Sequence, residues 1–126
     1  MKKTITTDGA PSASGTYSQA VQHGGLLYVS GQIPLVPATM DLVSPDIDQQ
    51  INEVFDNLSA IAAAAGTTLN DTIKFTVYLT DLGHFPRVNE VMAQRLAQPY
   101  PARVALEVSA LPRSALVEID AIVAIS

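Results

Sequence analysis

The stretch DIDQQINEVFDNLSAIAAAAGTTLNDTIKFTVYL, residues 46–79, changes its hydrophobic period midway. In its first part Ile47, Ile51, Val54, Leu58, Ile61 and Ala65 recur at helical spacing, which gives a helix over 46–65 one apolar face. Asp46 can cap the start, and Gly66 suits the C-terminal end. In its last part Ile73, Phe75, Val77 and Leu79 alternate with Lys74, Thr76 and Tyr78, the pattern of a half-buried strand. A long amphipathic helix followed by an alternating strand belongs to an α+β layer structure.

The flanks extend the pattern. Upstream, a loop of small residues (Gly9 to Gly15) leads to Tyr17–Val21, which reads as extended. His23-Gly24-Gly25 is a turn signal, and Leu26–Ser30 is β-prone, so the pair reads as a hairpin. Pro34 and Pro37 restrict the next segment to an edge or a loop. Downstream, Val88, Met92 and Leu96 mark a second helix over about 86–97. Strands are expected at 103–109 and 116–125. The order ββ, α, β, α, ββ predicts one domain over 1–126, with two helices packed on one face of a mixed sheet. The other face is expected to carry Ala105, Ile122 and Ala124 among charges. A partly apolar open face is usually buried between subunits.

Composition narrows the function classes. Hydrophobic residues make up 48% and charged residues 15%, which excludes disorder. The net charge of -5, with only seven Lys and Arg, argues against a nucleic-acid surface. With no cysteine, disulfides and thiolate catalysis are excluded. Two isolated histidines without helical i,i+4 spacing make a poor metal site, so no metal is expected. The lysines at the N-terminus precede no apolar segment, and no apolar run is long enough to span a bilayer. A cytoplasmic protein with no membrane partner is the default expectation.

One charge needs explaining. In YPARVAL (100–106) Arg103 interrupts an apolar strand, and arginine is almost never fully buried without a partner. Alternation puts Ala102, Val104, Leu106 and Val108 on one face and Arg103, Ala105 and Glu107 on the other. In the last strand Val117, Ile119, Ala121 and Val123 oppose Glu118 and Asp120. The apolar sets are expected to face the helices. A hairpin turning near Leu111-Pro112 would set Arg103 opposite Glu118. The plain reading is a cross-strand ion pair, worth roughly 0.2–1 kcal/mol. The functional reading is an anion site in which Arg103 grips a carboxylate and Glu118 acts as acceptor or proton relay.

GTYSQAV (15–21), YVSGQIPL (28–35), PARVALEVSALP (101–112) and VEIDAI (117–122), in this order, resemble the RidA/YjgF family, the reactive-intermediate deaminases. The resemblance spans nearly the whole chain and includes the helix QQINEVFDNLSAIAAAAG and the segment VNEV (88–91). It implies a chorismate-mutase-like α+β fold and a homotrimer with clefts between subunits. It also implies hydrolysis of enamines and imines such as 2-iminopropanoate and 2-iminobutanoate to 2-keto acids and ammonia, without cofactor. By the same resemblance Arg103 binds the substrate carboxylate, Glu118 holds or activates water, and the backbone at Ser30 and Gly31 contacts the ligand. Tyr17 and Asn89 match cleft residues, and Phe85 matches an apolar wall. Thr16 and Ala105 depart from the family pattern; Ala105 stands where many members carry a polar side chain in the cleft.

Each of these residues also has a structural reading. Tyr17 can be a strand aromatic, Ser30-Gly31 a strand end, Asn89 a surface residue, and Phe85 a hydrophobic staple. Two other functions compete with deamination. One is a non-catalytic trimeric binder of small carboxylates or 2-keto acids. The other is a ribonuclease or translation inhibitor, against which the acidic balance weighs.

Overall fold

The computed structural model describes residues 1–126. The elements are β1 (Lys3–Ile5), β2 (Ala20–His23), β3 (Leu26–Gln32), α1 (Ile47–Ala64), β4 (Thr72–Leu79), α2 (Phe85–Arg95), β5 (Ala102–Glu107) and β6 (Val117–Ala124). Six strands form one sheet in the order β1-β2-β3-β6-β4-β5. Every pairing is antiparallel except β4 with β5, which run parallel and are joined through α2. A parallel pair needs such a crossover, because no tight turn can link two strands running the same way.

The helix over the opening stretch forms as its period predicts. The Asp46 carboxylate accepts the Gln49 N–H at 3.0 Å, and the chain leaves the helix at Gly66 with φ +80. The buried face of α1, with Ile51, Val54, Phe55, Leu58 and Ile61, meets Leu27, Phe75, Val77, Ile119 and Val123 of the sheet. Phe55 and Phe75 pack edge to face at 5.7 Å. α2 adds Val88, Val91 and Met92 to the same core. The two helices are tied by Arg87, which donates to both Asp48 oxygens at 2.7 and 2.9 Å, and by Arg95, which donates to Asp56 at 2.7 Å. The hydrogen bonds from Arg87 hold the Asp48 carboxyl below the usual carboxylate range.

The β2–β3 hairpin turns at Gly24-Gly25, with His23 opposite Leu26 and Gly24 at φ +60. Left-handed backbone at a two-residue turn matches the twist of the strands, and glycine adopts it without strain. Tyr17 lies outside this hairpin, because β2 starts only at Ala20.

Two expectations about faces are overturned. Alternation puts Ile73 on the face of Phe75, Val77 and Leu79, yet it is 51% exposed. Thr72 pairs with Val123 and Lys74 with Ile122, so β4 carries one extra residue here. A bulge of one residue sends the interrupted side chain to the other face. The second correction concerns the end of the chain. β5 and β6 do not form a hairpin; β4 lies between them. Arg103 sits beside Phe75, Ala105 beside Val77 and Glu107 beside Leu79. Residues opposite each other in a sheet share a face, so Arg103, Ala105 and Glu107 are on the helix side. Val104 and Leu106, 45% and 37% exposed, lie on the open face instead. The reversal is physical: β5 is an edge strand at the margin of the helix layer, where a charged side chain can reach water past α2.

Candidate functional site

The expected site residues divide between two clefts. In the first, of about 290 Å³, Arg103 meets α2. Its guanidinium donates to Asn89 Oδ1 at 2.7 Å and to Met92 Sδ at 3.6 Å, and lies 4.7 Å from the centre of the Phe85 ring. Phe85 and Asn89 are one helical turn apart, so a single face of α2 supplies both contacts. Tyr100, Pro101 and Ala93 complete the walls. Arg103 stays exposed, and both of its hydrogen bonds come from Nη1, which leaves the Nε and Nη2 donors of the planar fork free for a carboxylate.

The second cleft, of about 580 Å³, brings together Tyr17, Ser30, Gly31 and Glu118. Its floor is a second bulge: Val29 pairs with Ala121 and Gln32 with Ile119, so β3 carries one extra residue at Ser30-Gly31. Gly31 leaves the room in which the Glu118 side chain lies. A methyl group there would overlap the Glu118 carboxylate, 2.9 Å from its Cδ and 3.2 Å from its Cγ. Burial, with the Asp120 charge second, pushes the Glu118 carboxyl above the usual range. Asp120 in turn accepts the Tyr78 hydroxyl at 3.1 Å. Ser30 is committed to the scaffold, its N–H donating to Gln19 O at 3.0 Å and its hydroxyl to Ser18 O at 2.6 Å. Tyr17 is 53% exposed, with its hydroxyl accepting the Ser14 N–H at 3.4 Å.

Three buried amide side chains frame this cleft. Gln19 accepts the Thr7 N–H at 2.7 Å and donates to Pro11 O at 2.8 Å, which shapes the 7–12 loop. Gln50 donates to Ser44 O and accepts the Leu116 N–H, each at 2.9 Å. Asn57 donates to Leu35 O at 2.9 Å. Gln50 and Asn57 are two turns apart on α1, so one helix face holds the 33–44 loop and the approach to β6.

Within one chain Arg103 and Glu118 lie on opposite faces of the sheet, with β4 between their strands. The cross-strand ion pair expected from a terminal hairpin is therefore absent. Ala105 lines neither cleft and packs against the core. Two cleft residues had no signal in the sequence: Met40 and Arg113 line the Glu118 cleft with φ 61 and 60, a conformation normally flagged by glycine. No group of three or more His, Cys, Asp or Glu side chains converges as a metal site. No helix is long and apolar enough to cross a membrane.

Comparison with known proteins adds a lineage to this geometry. A family model described as Endoribonuclease L-PSP matches residues 7–125. A RutC family protein of Pyrococcus horikoshii is 49% identical, with 97% of each chain covered. A protein of Dermatophagoides farinae named 2-iminobutanoate/2-iminopropanoate deaminase is 38% identical, covering 98% of this chain and 97% of its own. The crystal structure of RidA from the Antarctic bacterium Psychrobacter sp. superposes with a TM-score of 0.94 at 50% identity, covering 98% of this chain and 99% of the other.

Proposed function

The chain belongs to the RidA/YjgF family, and on that premise we propose that it hydrolyses 2-iminopropanoate and 2-iminobutanoate in clefts shared between copies of a homotrimer. The observation that carries the reading is the separation of its two key groups. Arg103 is an oriented carboxylate receptor with no acid–base partner beside it. Glu118 is a carboxylate of raised pKa in a cleft, with no hydrogen bond stabilising its charge. Each lacks what the other supplies, and a neighbouring copy can set them face to face. The exposed Tyr28, Val104 and Leu106 on the open sheet face provide apolar surface for such an assembly.

In this mechanism Arg103 of one copy binds the substrate carboxylate, with Asn89 and Phe85 fixing the guanidinium. Glu118 of the next copy takes a proton from water as the water oxygen adds to the iminium carbon. Proton transfer to nitrogen then makes the amine a leaving group. As the C–N bond breaks, the hydroxyl proton passes to Glu118 and on to the departing ammonia, so the products are the 2-keto acid and ammonium. A raised pKa suits a group that both accepts and returns a proton, a role worth about 10²–10⁴-fold. No cofactor enters this scheme. The family description names an endoribonuclease, but the net charge of -5 weighs against phosphate-backbone binding.

The test couples the protein to a threonine dehydratase and follows 2-ketobutanoate release. Arg103→Ala and Glu118→Gln are each expected to be inactive, and a mixture of the two to recover activity. In a randomly mixed ring about a quarter of the clefts keep both groups. Failure of the mixture to recover would refute the shared cleft. Retained activity in either single variant would refute that residue's role. Binding of 2-keto acids without accelerated imine hydrolysis would favour the carboxylate-binder reading instead.

A further inference from the structure

The Glu118 cleft contains a cation that the hydrolysis of a short aliphatic imine does not use. Arg113 is the only positively charged residue among those lining it. Its position is imposed by unusual backbone: Arg113 and Ser114 are both left-handed, at φ 60 and 57, and neither is glycine. Met40, on the facing loop, is left-handed as well, at φ 61. Non-glycine residues persist in this region only where the surrounding structure holds them there, and such positions gather at ligand sites. Here the holding groups are on α1. Gln50 fixes Leu116 just beyond the Arg113 turn, and Asn57 fixes Leu35 in the loop that carries Met40 and Asp41.

The guanidinium is only loosely engaged inside the chain. Its carboxylate partner, Asp41, stands at 3.9 Å, and the two side chains are 52% and 76% exposed. An exposed pair at that separation holds weakly and is readily exchanged for another carboxylate. Arginine, in contrast, can grip an incoming carboxylate with two parallel hydrogen bonds.

We propose that Arg113 is a second anion subsite of the Glu118 cleft, and that the imines handled there include 2-imino dicarboxylates, whose side chains end in a second carboxylate. The inference rests on the deaminase reading above. The carboxylate next to the imine goes to Arg103 of the neighbouring copy. Glu118 faces the C=N carbon, and the distal carboxylate displaces Asp41 from Arg113. The bonds made and broken are unchanged: water oxygen replaces the nitrogen, which leaves as ammonium.

The experiment compares two imines formed in place by amino-acid oxidases, 2-iminoglutarate from glutamate and 2-iminopropanoate from alanine. Catalase is present to remove peroxide, and the readout is the ratio of the two accelerated hydrolysis rates. Arg113→Gln is expected to lower the glutarate-to-propanoate ratio about tenfold or more, the loss typical of a removed charge-assisted contact. Asp41→Asn removes the competing carboxylate and is expected to raise the ratio. Three results overturn the subsite: a ratio that does not fall in Arg113→Gln, a ratio that falls in Asp41→Asn, or a wild-type protein that accelerates only 2-iminopropanoate. A protein that accelerates neither imine refutes the deaminase reading itself, which separates the two failures.

Discussion

Arg103 and Glu118 occupy opposite faces of one sheet, and their surroundings are built on opposite principles. Arg103 is surrounded by contacts: an amide oxygen, a thioether and an aromatic face, all from α2. Glu118 is surrounded by space, cleared by a glycine in a bulge, with a second carboxylate nearby and no hydrogen bond offsetting it. The arginine is held still. The glutamate is kept uncomfortable, its charged form disfavoured by burial and by Asp120. A group that only binds gains from being pinned, whereas a group that exchanges protons gains from having its two protonation states brought closer in energy.

The sharpest way to break this contrast is Glu118→Gln, which keeps the shape and removes the titration. Turnover of 2-iminobutanoate is expected to fall by about 10²–10⁴-fold. Stability should move the other way. The folded pKa lies above the unfolded one, so folding stability falls as pH rises through the window between them. Removing the ionised form lifts that penalty, and the melting temperature at neutral pH should rise. A fall would mean that the carboxylate is stabilising where it sits.

Gly31→Ala tests the space itself. Because a Cβ would lie 2.9 Å from the Glu118 Cδ, the carboxylate must swing away. Turnover should drop about ten- to hundredfold from the misplaced carboxylate, with little loss of stability, because the obstructing atoms are the free end of a flexible side chain. Unchanged turnover would show that the position of Glu118 is not critical.

Phe85→Leu tests the pinning of Arg103. The cation–π contact of an exposed arginine contributes about 0.5–1 kcal/mol, so KM should rise about two- to fivefold with kcat nearly unchanged. A change confined to kcat would move Phe85 into the chemistry.

The smallest effect is a displacement along the pH axis. The ionised Glu118 is lost as pH falls through its raised pKa, so the acid limb of kcat/KM should lie above that of an ordinary glutamate. Asp120→Asn keeps an acceptor for Tyr78 and removes the second cause of the shift. The limb should move to lower pH, and a limb that stays in place would leave burial as the sole cause.

Much of this architecture is legible in the sequence, and the gaps have physical reasons. α1 is readable from Asp46 to Gly66 because period, cap and stop agree. The β2–β3 turn is readable because Gly24-Gly25 can adopt the positive φ that a two-residue hairpin turn demands, which most other residues resist. Ile73 misleads because a bulge changes the phase of a strand without changing its composition. β5 misleads more instructively. Alternation separates Arg103, Ala105 and Glu107 from Val104 and Leu106, but it does not say which set faces the helices when the strand lies at an edge. The insertion of β4 between β5 and β6 is set by pairings distant along the chain, so an expected hairpin becomes two non-neighbouring strands. Arg103 and Glu118 are individually recognisable from their motifs. Their partners follow from topology, and the left-handed Arg113 has no glycine to announce it.

The amide frame of the Glu118 cleft carries one more consequence. Gln19, Gln50 and Asn57 fix its surrounding loops with groups that carry no charge at any ordinary pH. Had carboxylates held those loops, acid would loosen the walls over the same range in which it protonates the glutamate. With the walls held by uncharged amides, and only weakly by the exposed Asp41–Arg113 contact, acid inactivation should begin as a reversible chemical event, with the cleft still formed and emptied of function by one proton on Glu118.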